Sequence, residues 1–185
     1  MDELLPQAYL IGLIVLLGAA AVVVARQILR VRGDEVTLAK LERADGNAPA
    51  DAATLYELAS VQLRKRLYGQ AAENLKLAVK RAETDNAPAE AQALIQNALG
   101  FALAAQNNYK TAIRHYRLAL EAKPDYPVAL NNLAFALEKQ LKQDEAKETY
   151  EKVLALDSAN KTARKRLKLL VGVAGVSQAS SQSTP

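Results

Sequence analysis

The chain has 185 residues, half of them hydrophobic, and its 24 basic and 20 acidic side chains leave a net charge of +4. Cysteine is absent and His115 is the single histidine, which excludes a disulfide framework, a thiolate metal site and a cysteine nucleophile, and leaves too little imidazole for a catalytic triad. We therefore expect no catalytic residue, no metal, no cofactor and no small-molecule substrate. The basic excess is too small and too scattered to indicate nucleic-acid binding.

The first predicted element is a transmembrane helix. Residues 4–25 carry no charged side chain, and more than half of them are Leu, Ile or Val. A helix of that length spans roughly 33 Å, enough for a hydrocarbon core of about 30 Å. We predict an anchor over residues 1–32 that contacts the lipid bilayer through residues 4–25.

The flanking charges predict that this anchor is uncleaved and fix its orientation. Asp2 and Glu3 precede the apolar run, whereas a secretory signal would begin with basic residues. Five basic residues follow between Arg26 and Arg43. The positive-inside rule then predicts a lumenal amino terminus and a cytoplasmic or stromal remainder of the chain.

A linker and a first helical hairpin are predicted next. Residues 33–51 include the turn cluster Asp45-Gly46-Asn47-Ala48-Pro49 and a possible short helix at 34–44. Residues 52–85 then place apolar and small side chains at helical spacing on two successive segments. We predict a hairpin there, with its turn at Arg66-Leu67.

The clearest pattern in the chain occurs twice, in segments 93–126 and 127–160, with a period of 34 residues. The recurring positions are Leu99-Gly100, Leu103, Tyr109, Ala112, Tyr116 and Ala119-Leu120, followed by Leu133-Ala134, Leu137, Gln143, Ala146, Tyr150 and Val153-Leu154. The pattern resembles the tetratricopeptide repeat, a helix, a turn and an antiparallel second helix. The first hairpin lies seven residues further away than this period requires, and we expect residues 83–88 to hold the surplus.

The carboxyl-terminal part is predicted to close the array. In residues 159–171, Ala163, Leu167 and Leu170 share one face, and basic side chains cover the rest. This basic face is predicted to be solvated, and the alternative is that it contacts anionic headgroups or an acidic partner. Residues 172–185 are rich in Ser, Gln, Ala and Gly and are predicted to be disordered. The predicted fold is all-α: a transmembrane helix, then a right-handed tetratricopeptide-repeat superhelix of three hairpins over 52–171 with a capping helix.

A partner-binding surface is expected on the first helices of the hairpins, which line a concave groove in such arrays. Asn97 and Phe101 lie four residues apart, and Asn131 and Phe135 repeat them one period later. Amides can bond a peptide backbone, and exposed rings supply apolar contact. The predicted partner-binding residues are Tyr56, Leu94, Asn97, Phe101, Val128, Asn131 and Phe135. The alternative is that both rings pack between adjacent repeats. His115, next to the inward-facing Tyr116, is expected to be solvated.

The layout resembles the membrane-anchored tetratricopeptide-repeat photosystem I assembly and stability factors of cyanobacteria and plastids, the pale-yellow-green type. The residues that carry the resemblance are Leu5-Pro6-Gln7-Ala8-Tyr9-Leu10 to Ala25-Arg26-Gln27-Ile28-Leu29, Tyr56-Glu57-Leu58-Ala59-Ser60, Lys65-Arg66-Leu67-Tyr68 and Ala129-Leu130-Asn131-Asn132-Leu133. The resemblance implies a non-catalytic scaffold at the thylakoid membrane whose partners are photosystem I subunits or assembly intermediates.

A second interpretation uses the same anchor and groove. A general membrane-tethered adaptor or chaperone could serve another complex, for example in translocation or envelope assembly. Its location would be the thylakoid or a bacterial inner membrane. The repeat motif alone does not separate the two interpretations, because it occurs in many unrelated functions.

Overall fold

The amino-terminal unit contains one apolar helix. The computed structural model describes residues 9–27 and 51–181, with side chains to Gly172. Helix α1, Tyr9–Gln27, has a mean hydropathy of 2.3, and every residue in it is exposed. It is long and apolar enough to cross a bilayer, as predicted for this stretch. The rest of the predicted anchor and residues 33–50 of the predicted linker, including the possible helix at 34–44, lie outside the described residues.

The second unit, Pro49–Pro185, is a stack of helical hairpins. Within the residues described, every regular element is a helix, which confirms the all-α fold. The helices are α2 (Ala52–Arg64), α3 (Tyr68–Thr84), α4 (Ala89–Ala105), α5 (Tyr109–Ala122), α6 (Pro127–Lys139), α7 (Gln143–Leu156) and α8 (Lys161–Ser181). Each helix from α2 to α7 packs on the next, and the first helices α2, α4 and α6 also touch one another in sequence.

Alanine and glycine at the predicted small positions let the paired backbones approach closely. Ala71, Ala112 and Ala146 each have no exposed surface, and Gly100 and Ala134 are buried as well. The largest fully buried side chains are Tyr116 and Tyr150, one from each regular hairpin. The buried apolar residues therefore follow the repeat pattern. Their burial is the main source of stability for such a stack.

The turns inside the hairpins use the left-handed backbone region. Arg66, Asn107 and Leu141 occupy the same place in the three turns, with φ of 61°, 63° and 59°. Asn adopts this conformation readily, as predicted for the turn at residues 106–108, whereas Arg and Leu do so at a cost. Pro127 occupies the first turn of α6, where its missing N–H breaks no helical bond.

The seven surplus residues before the second hairpin lengthen two helices rather than a loop. Helix α3 has 17 residues where α5 and α7 have 14, and α4 has 17 where α2 and α6 have 13. The second hairpin consequently begins at Ala89, four residues before the predicted start at 93. The turn Asp85 to Pro88 stays short, with Asn86 at φ 49°.

The last helix covers the end of the stack. Ala163 is fully buried in a cluster with Tyr150 and Val153, and Leu167 and Leu170 pack partly buried against it. Helix α8 runs on to Ser181, so the chain is helical for ten residues past the predicted end at 171, where disorder was expected. Ala, Gln and Ser are compatible with a helix, and no proline interrupts this stretch before Ser181.

Candidate protein-binding groove

An open cavity of about 340 Å³ lies between the first helices α4 and α6 and the cap helix α8. Its lining combines aromatic rings, amides and one charged side chain: Phe101, Asn107, Tyr109, Tyr116, Asn131, Asn132, Phe135, Tyr150, Thr162 and Arg166, with Ala104 and Ala105. A mostly apolar concavity with a few polar groups is the usual composition of a binding site.

The structure brings together three of the seven predicted partner-binding residues in this cavity: Phe101, Asn131 and Phe135. The other four are not among its lining residues. Leu94 and Val128 are 38% and 54% exposed on α4 and α6, while Tyr56 and Asn97 are half-buried. The predicted surface therefore divides into a cavity and an apolar pair, Leu94 and Val128, at the other end of the same helices.

Both predicted phenyl rings pack between adjacent hairpins and also reach the surface. The Phe101 ring meets Tyr68 edge to face, with centroids 6.4 Å apart, and Phe135 meets Tyr109 in the same way at 6.4 Å. Phe101 remains 42% exposed and Phe135 is half-buried. The sequence suggested either that the rings are available to a partner or that they pack between adjacent repeats. Each ring does both, because it contacts a tyrosine of the neighbouring hairpin and also has an accessible part.

The two predicted amides are not equivalent. Asn97 Oδ1 accepts a hydrogen bond from Asn132 Nδ2 at 3.0 Å, and Asn97 Nδ2 donates to the Tyr126 hydroxyl at 3.4 Å. Asn97 therefore joins α4 to α6, and its role in binding a partner stays a prediction. Asn131 Oδ1 is buried and accepts no hydrogen bond within the described part of the chain.

Arg166 also lines the cavity, although the sequence predicts it on the basic face of the cap, either solvated or in contact with anionic headgroups or an acidic partner. Its Nη1 donates to Glu138 Oε2 at 3.4 Å, and its guanidinium lies 5.1 Å from the centroid of the Phe135 ring. Lys139 Nζ lies 5.4 Å from the same centroid. The repeat period could have predicted this position of Arg166. It relates Arg166 to Asn132, which also lines the cavity.

Glu138 links Arg166 to the core below the cavity. Its side chain is 15% exposed, and it interacts with the hydroxyl of the buried Tyr150. Burial, followed by the interaction with Glu138, raises the pKa of Tyr150, so the phenol stays protonated at any physiological pH. Arg166 is consequently held by one partly buried carboxylate and one ring.

His115 is not solvated, contrary to expectation. It is half-buried on α5, and its Nδ1 lies 2.8 Å from Oε1 of the buried Gln96 on α4. Burial lowers the pKa of His115, and the nearby Arg114 and Lys76 lower it further. Its neutral form therefore serves as a hydrogen-bonding group between two helices. Among residues 9–27 and 51–172 no cluster of His, Cys, Asp and Glu is suited to a metal ion.

Comparison with known proteins connects this architecture to a family. Models described as TPR repeat and Tetratricopeptide repeat match residues 100–140 and 127–160. The ycf37 protein of Guillardia theta is 34% identical over 172 residues, which cover 93% of this chain and 96% of that protein. The chain belongs to the ycf37 family. The ycf37 protein of Cyanophora paradoxa is 30% identical, with 92% and 97% of the two chains covered.

The ycf37 family also has a longer plant relative. The chloroplastic tetratricopeptide repeat domain-containing protein PYG7 of Arabidopsis thaliana is 32% identical over 176 residues. The match covers 91% of this chain and 58% of PYG7, so the chain spans less than two thirds of the plant protein. These matches confirm the resemblance that the anchor and repeats indicated.

Solved structures show the same fold at low identity. MamA superposes with a TM-score of 0.70 at 21% identity, over 79% of this chain and 82% of MamA. The first tetratricopeptide domain of Spaghetti (RPAP3), bound to the HSP90 peptide SRMEEVD, gives 0.62 at 20% identity, over 67% and 93%. The tetratricopeptide fold and the ycf37 kinship support a protein-interaction role for this chain.

Proposed function

We propose that this ycf37-family chain is a non-catalytic scaffold at the thylakoid membrane that binds a protein segment and assists the assembly or stability of photosystem I. The observation that carries the binding role is the open cavity of about 340 Å³ on the first helices, with Phe101 and Phe135 in its lining. Kinship with the chloroplastic PYG7 and the resemblance to photosystem I assembly factors support the membrane and the partner.

The surface suits a peptide segment rather than a small molecule. One apolar row consists of the exposed Leu94 on α4 and Val128 on α6, and a second row consists of Phe101 and Phe135 on the same two helices. Asn97 and Asn131 lie between the two rows in sequence. Successive apolar side chains of one extended or helical segment can contact both rows. Partly exposed aromatic rings are frequent anchors in such interfaces.

Helix α1 supplies the membrane attachment in this proposal. Its 19 residues are mostly apolar and confine the chain to the bilayer, where photosystem I subunits are also inserted. Confinement of both proteins to one membrane raises their effective concentration, so a modest groove affinity is enough for function.

The proposed orientation places the repeats on the cytoplasmic or stromal side and the amino terminus in the lumen. Asp2 and Glu3 precede the apolar stretch, and the basic residues between Arg26 and Arg43 follow it. A reporter that works only before export, fused to the carboxyl terminus, should be active. Activity of a reporter that works only after export would contradict the orientation.

Co-purification from gently solubilised membranes tests the partner. We expect subunits or assembly intermediates of photosystem I to be enriched with the tagged full-length chain. Enrichment of translocase or envelope proteins instead would favour the general adaptor and contradict the photosystem I assignment.

Matched surface variants test the groove. Val128→Glu places a charge in the apolar row, and Leu77→Glu places one on α3, outside it; the two native side chains are 54% and 53% exposed. We expect Val128→Glu to reduce the recovered partner about tenfold and Leu77→Glu to leave it unchanged. Equal recovery with both variants, at equal thermal stability, would show that the apolar row with Val128 does not contact the partner.

A further inference from the structure

The three turns inside the hairpins lie side by side at one end of the stack. The first helices α2, α4 and α6 touch in sequence, and each of them ends at a turn. Gln106 in the second turn donates through Nε2 to the backbone oxygen of Tyr68, just after the first turn, at 3.2 Å. Tyr109, just after the second turn, contacts Phe135 of the third hairpin. The connections between successive hairpins consequently lie at the opposite end.

Charge is divided unequally between these two ends. The turn end takes each turn with the residue before it and the three after it, 64–70, 105–111 and 139–145, and holds six basic and two acidic side chains. The connection end, taken in the same way, consists of 51–54, 84–91, 122–129 and 156–163, and holds two basic and five acidic side chains. Of the two acidic residues at the turn end, Glu145 is already paired with Lys142 and Arg117. The turn end is therefore the positive end of the stack.

Each hairpin contributes an available cation to the turn end. Arg66, Lys110 and Lys139 are exposed, and none of them forms an ion pair with a described residue. Lys139 lies over the Phe135 ring, with Nζ 5.4 Å from the centroid, and stays accessible there. Three positive charges on three hairpins thus face outward without a counter-charge from the described part of the stack.

Leucines project between these charges. Leu141 in the third turn is 83% exposed, more than any other large hydrophobic side chain in the described residues, and Leu67 in the first turn is exposed as well. The left-handed φ of 59° costs Leu141 energy, and its side chain buries little in return. The two leucines lie at the tips of separate hairpins, outside the cavity lining. Isolated apolar points among basic side chains suit a bilayer surface, where headgroups meet the charges and acyl chains meet the leucines.

Helix α8 continues past the turn end. The repeat period relates Lys139, the last residue of α6, to Val173, and α8 runs on for eight more residues to Ser181, about 12 Å of helix. Residues 169–181 carry no charged side chain, and Leu169 and Val171 are exposed. A bilayer at the turn end therefore meets no charge on the part of α8 that projects towards it.

We propose that the turn end of the stack rests on a bilayer surface, with its basic side chains against anionic lipid headgroups and with Leu67 and Leu141 inserted among them. This inference rests on the membrane location in the proposed function and names the face that the repeats turn to the lipid. In this position the helices of the stack stand upright on the membrane. The groove along α4 and α6 then opens sideways, towards partners in the same membrane.

A quencher carried by the lipid tests the proposal on the full-length chain. Because the chain has no cysteine, one introduced cysteine takes a fluorophore at a single site. Gln140→Cys places the label in the third turn and Ser158→Cys places it at the connection end; both native side chains are exposed. The chain is reconstituted in nanodiscs of phosphatidylcholine alone or of equal parts phosphatidylcholine and phosphatidylglycerol, with a nitroxide on some headgroups.

We expect the nitroxide to quench the label at Gln140→Cys about threefold more than the label at Ser158→Cys in the mixed discs. The difference should shrink in phosphatidylcholine alone and at high salt, because both weaken the attraction between basic side chains and the surface. Both comparisons use the native charges and leucines of the turn end, so they do not depend on the folding of a charge variant.

Matched charge variants identify the groups responsible. The triple variant Arg66→Gln, Lys110→Gln, Lys139→Gln removes one charge from each hairpin at the turn end. The control Lys80→Gln, Lys152→Gln, Lys161→Gln removes three exposed charges nearer the connection end. Each basic residue near an anionic surface strengthens binding about fivefold, so the first triple should lower the ratio of docked to free chains about a hundredfold. The control should leave the quenching unchanged.

The outcomes separate this inference from the proposed function. Equal quenching at Gln140→Cys and Ser158→Cys in the mixed discs would overturn the inference while the chain stays anchored, and the positive end would then be open to an acidic protein. Quenching that needs no phosphatidylglycerol, or that survives the first triple variant, would overturn the contact with anionic headgroups. A full-length chain that does not float with the lipid would overturn the membrane location and both proposals with it.

Discussion

The second hairpin, α4 and α5, and the third, α6 and α7, carry the same side-chain pattern one period apart and use it differently. Asn97 in the second is bonded to the next repeat, whereas the equivalent Asn131 Oδ1 has no partner among the described residues. Ala104 in the second corresponds to Glu138 in the third, which bonds Arg166. The amide of the second hairpin therefore bonds the next repeat, whereas the amide oxygen of the third hairpin does not.

The cores of the two hairpins differ as well. Gly100 packs against the ring of Tyr116, and a methyl group at Gly100 would lie 2.6 Å from that ring. The third hairpin has Ala134 and Tyr150 at these positions, and the Tyr150 hydroxyl interacts with Glu138. The same sequence pattern therefore gives the buried tyrosine different neighbours in the two hairpins. Exchanging residues between the hairpins tests how far each tyrosine depends on its own neighbours.

The largest contrast is expected at the two phenylalanines. Phe135 is half-buried and contacts Tyr109, Lys139 and Arg166, whereas Phe101 is 42% exposed and contacts Tyr68. We expect Phe135→Ala to lower the free energy of unfolding by about 2–3 kcal/mol and Phe101→Ala by about 1–2 kcal/mol. Urea unfolding of the full-length chain in detergent, followed by circular dichroism, measures both. An equal or larger loss at Phe101 would show that the cap adds nothing to Phe135.

The next contrast concerns Gly100. Alanine ordinarily stabilises a helix interior by about 1 kcal/mol over glycine. At Gly100 the added methyl would displace the fully buried Tyr116 ring, and such overpacking costs about 1–3 kcal/mol. We expect Gly100→Ala to lower the thermal unfolding midpoint.

The reciprocal variant is the control for this prediction. Ala134→Gly removes a buried methyl group from the third hairpin and should destabilise it by about 1–2 kcal/mol, through helix propensity and a small void. If Gly100→Ala raises the thermal unfolding midpoint, the Tyr116 ring moves easily to make room for a methyl group, and the surroundings of Tyr116 and Tyr150 are interchangeable.

The repeats were predictable from the sequence because each small or aromatic position is fixed by close packing between helices. The repeat period predicts that Gly100, Ala112 and Tyr116 lie in the core, and all three are buried. The seven surplus residues were less predictable, since the same number can enter a loop or extend helices. Here α3 and α4 extend together, which keeps the turn between them short.

The groove was predictable in part. Phe101, Asn131 and Phe135 line the cavity as the first-helix rule indicates, but the rule does not say which amide is already bonded. The position of Arg166 was missed because its charge suggested a solvated face, although the stripe from Ala163 to Leu170 includes it at helical spacing. A charged side chain is expected at a solvated position only when no partly buried partner of opposite charge is available, and Glu138 is such a partner for Arg166.

A smaller contrast lies in the turns. Asn107 and Leu141 have nearly the same left-handed φ, 63° and 59°, and Leu141 is 83% exposed. Asn adopts this region more readily than Leu does, so Leu141→Asn should stabilise the chain by about 0.5–1 kcal/mol without losing buried area. The thermal midpoint of the full-length chain measures this gain.

The opposite exchange tests whether the backbone is the cause. Asn107→Leu should destabilise by about 1 kcal/mol, because it introduces the strain and removes the bond that Asn107 Oδ1 accepts from the Tyr109 hydroxyl at 3.1 Å. If Leu141→Asn lowers stability, the exposed Leu141 has a contact role that outweighs its backbone strain.

The smallest contrast is a pH dependence confined to the second hairpin. His115 and Gln96 form a polar pair there, and the third hairpin has Thr149 and Leu130 at the same places. Burial lowers the pKa of the folded His115 below its ordinary 6.5. As pH falls through about 6.5, the unfolded chain takes up a proton that the folded chain resists, so stability is lost until the folded pKa is reached.

The double variant Gln96→Leu, His115→Thr copies the third hairpin and removes the titrating group with its partner. Its stability should follow that of the native chain at pH 8 but decline less as pH is lowered from about 7 towards 5, because no imidazole in the core then opposes protonation. Urea unfolding at each pH gives the difference between the two proteins, which cancels the titration of the carboxylates they share. Parallel curves would mean that His115 is protonated as easily in the folded chain as in the unfolded one.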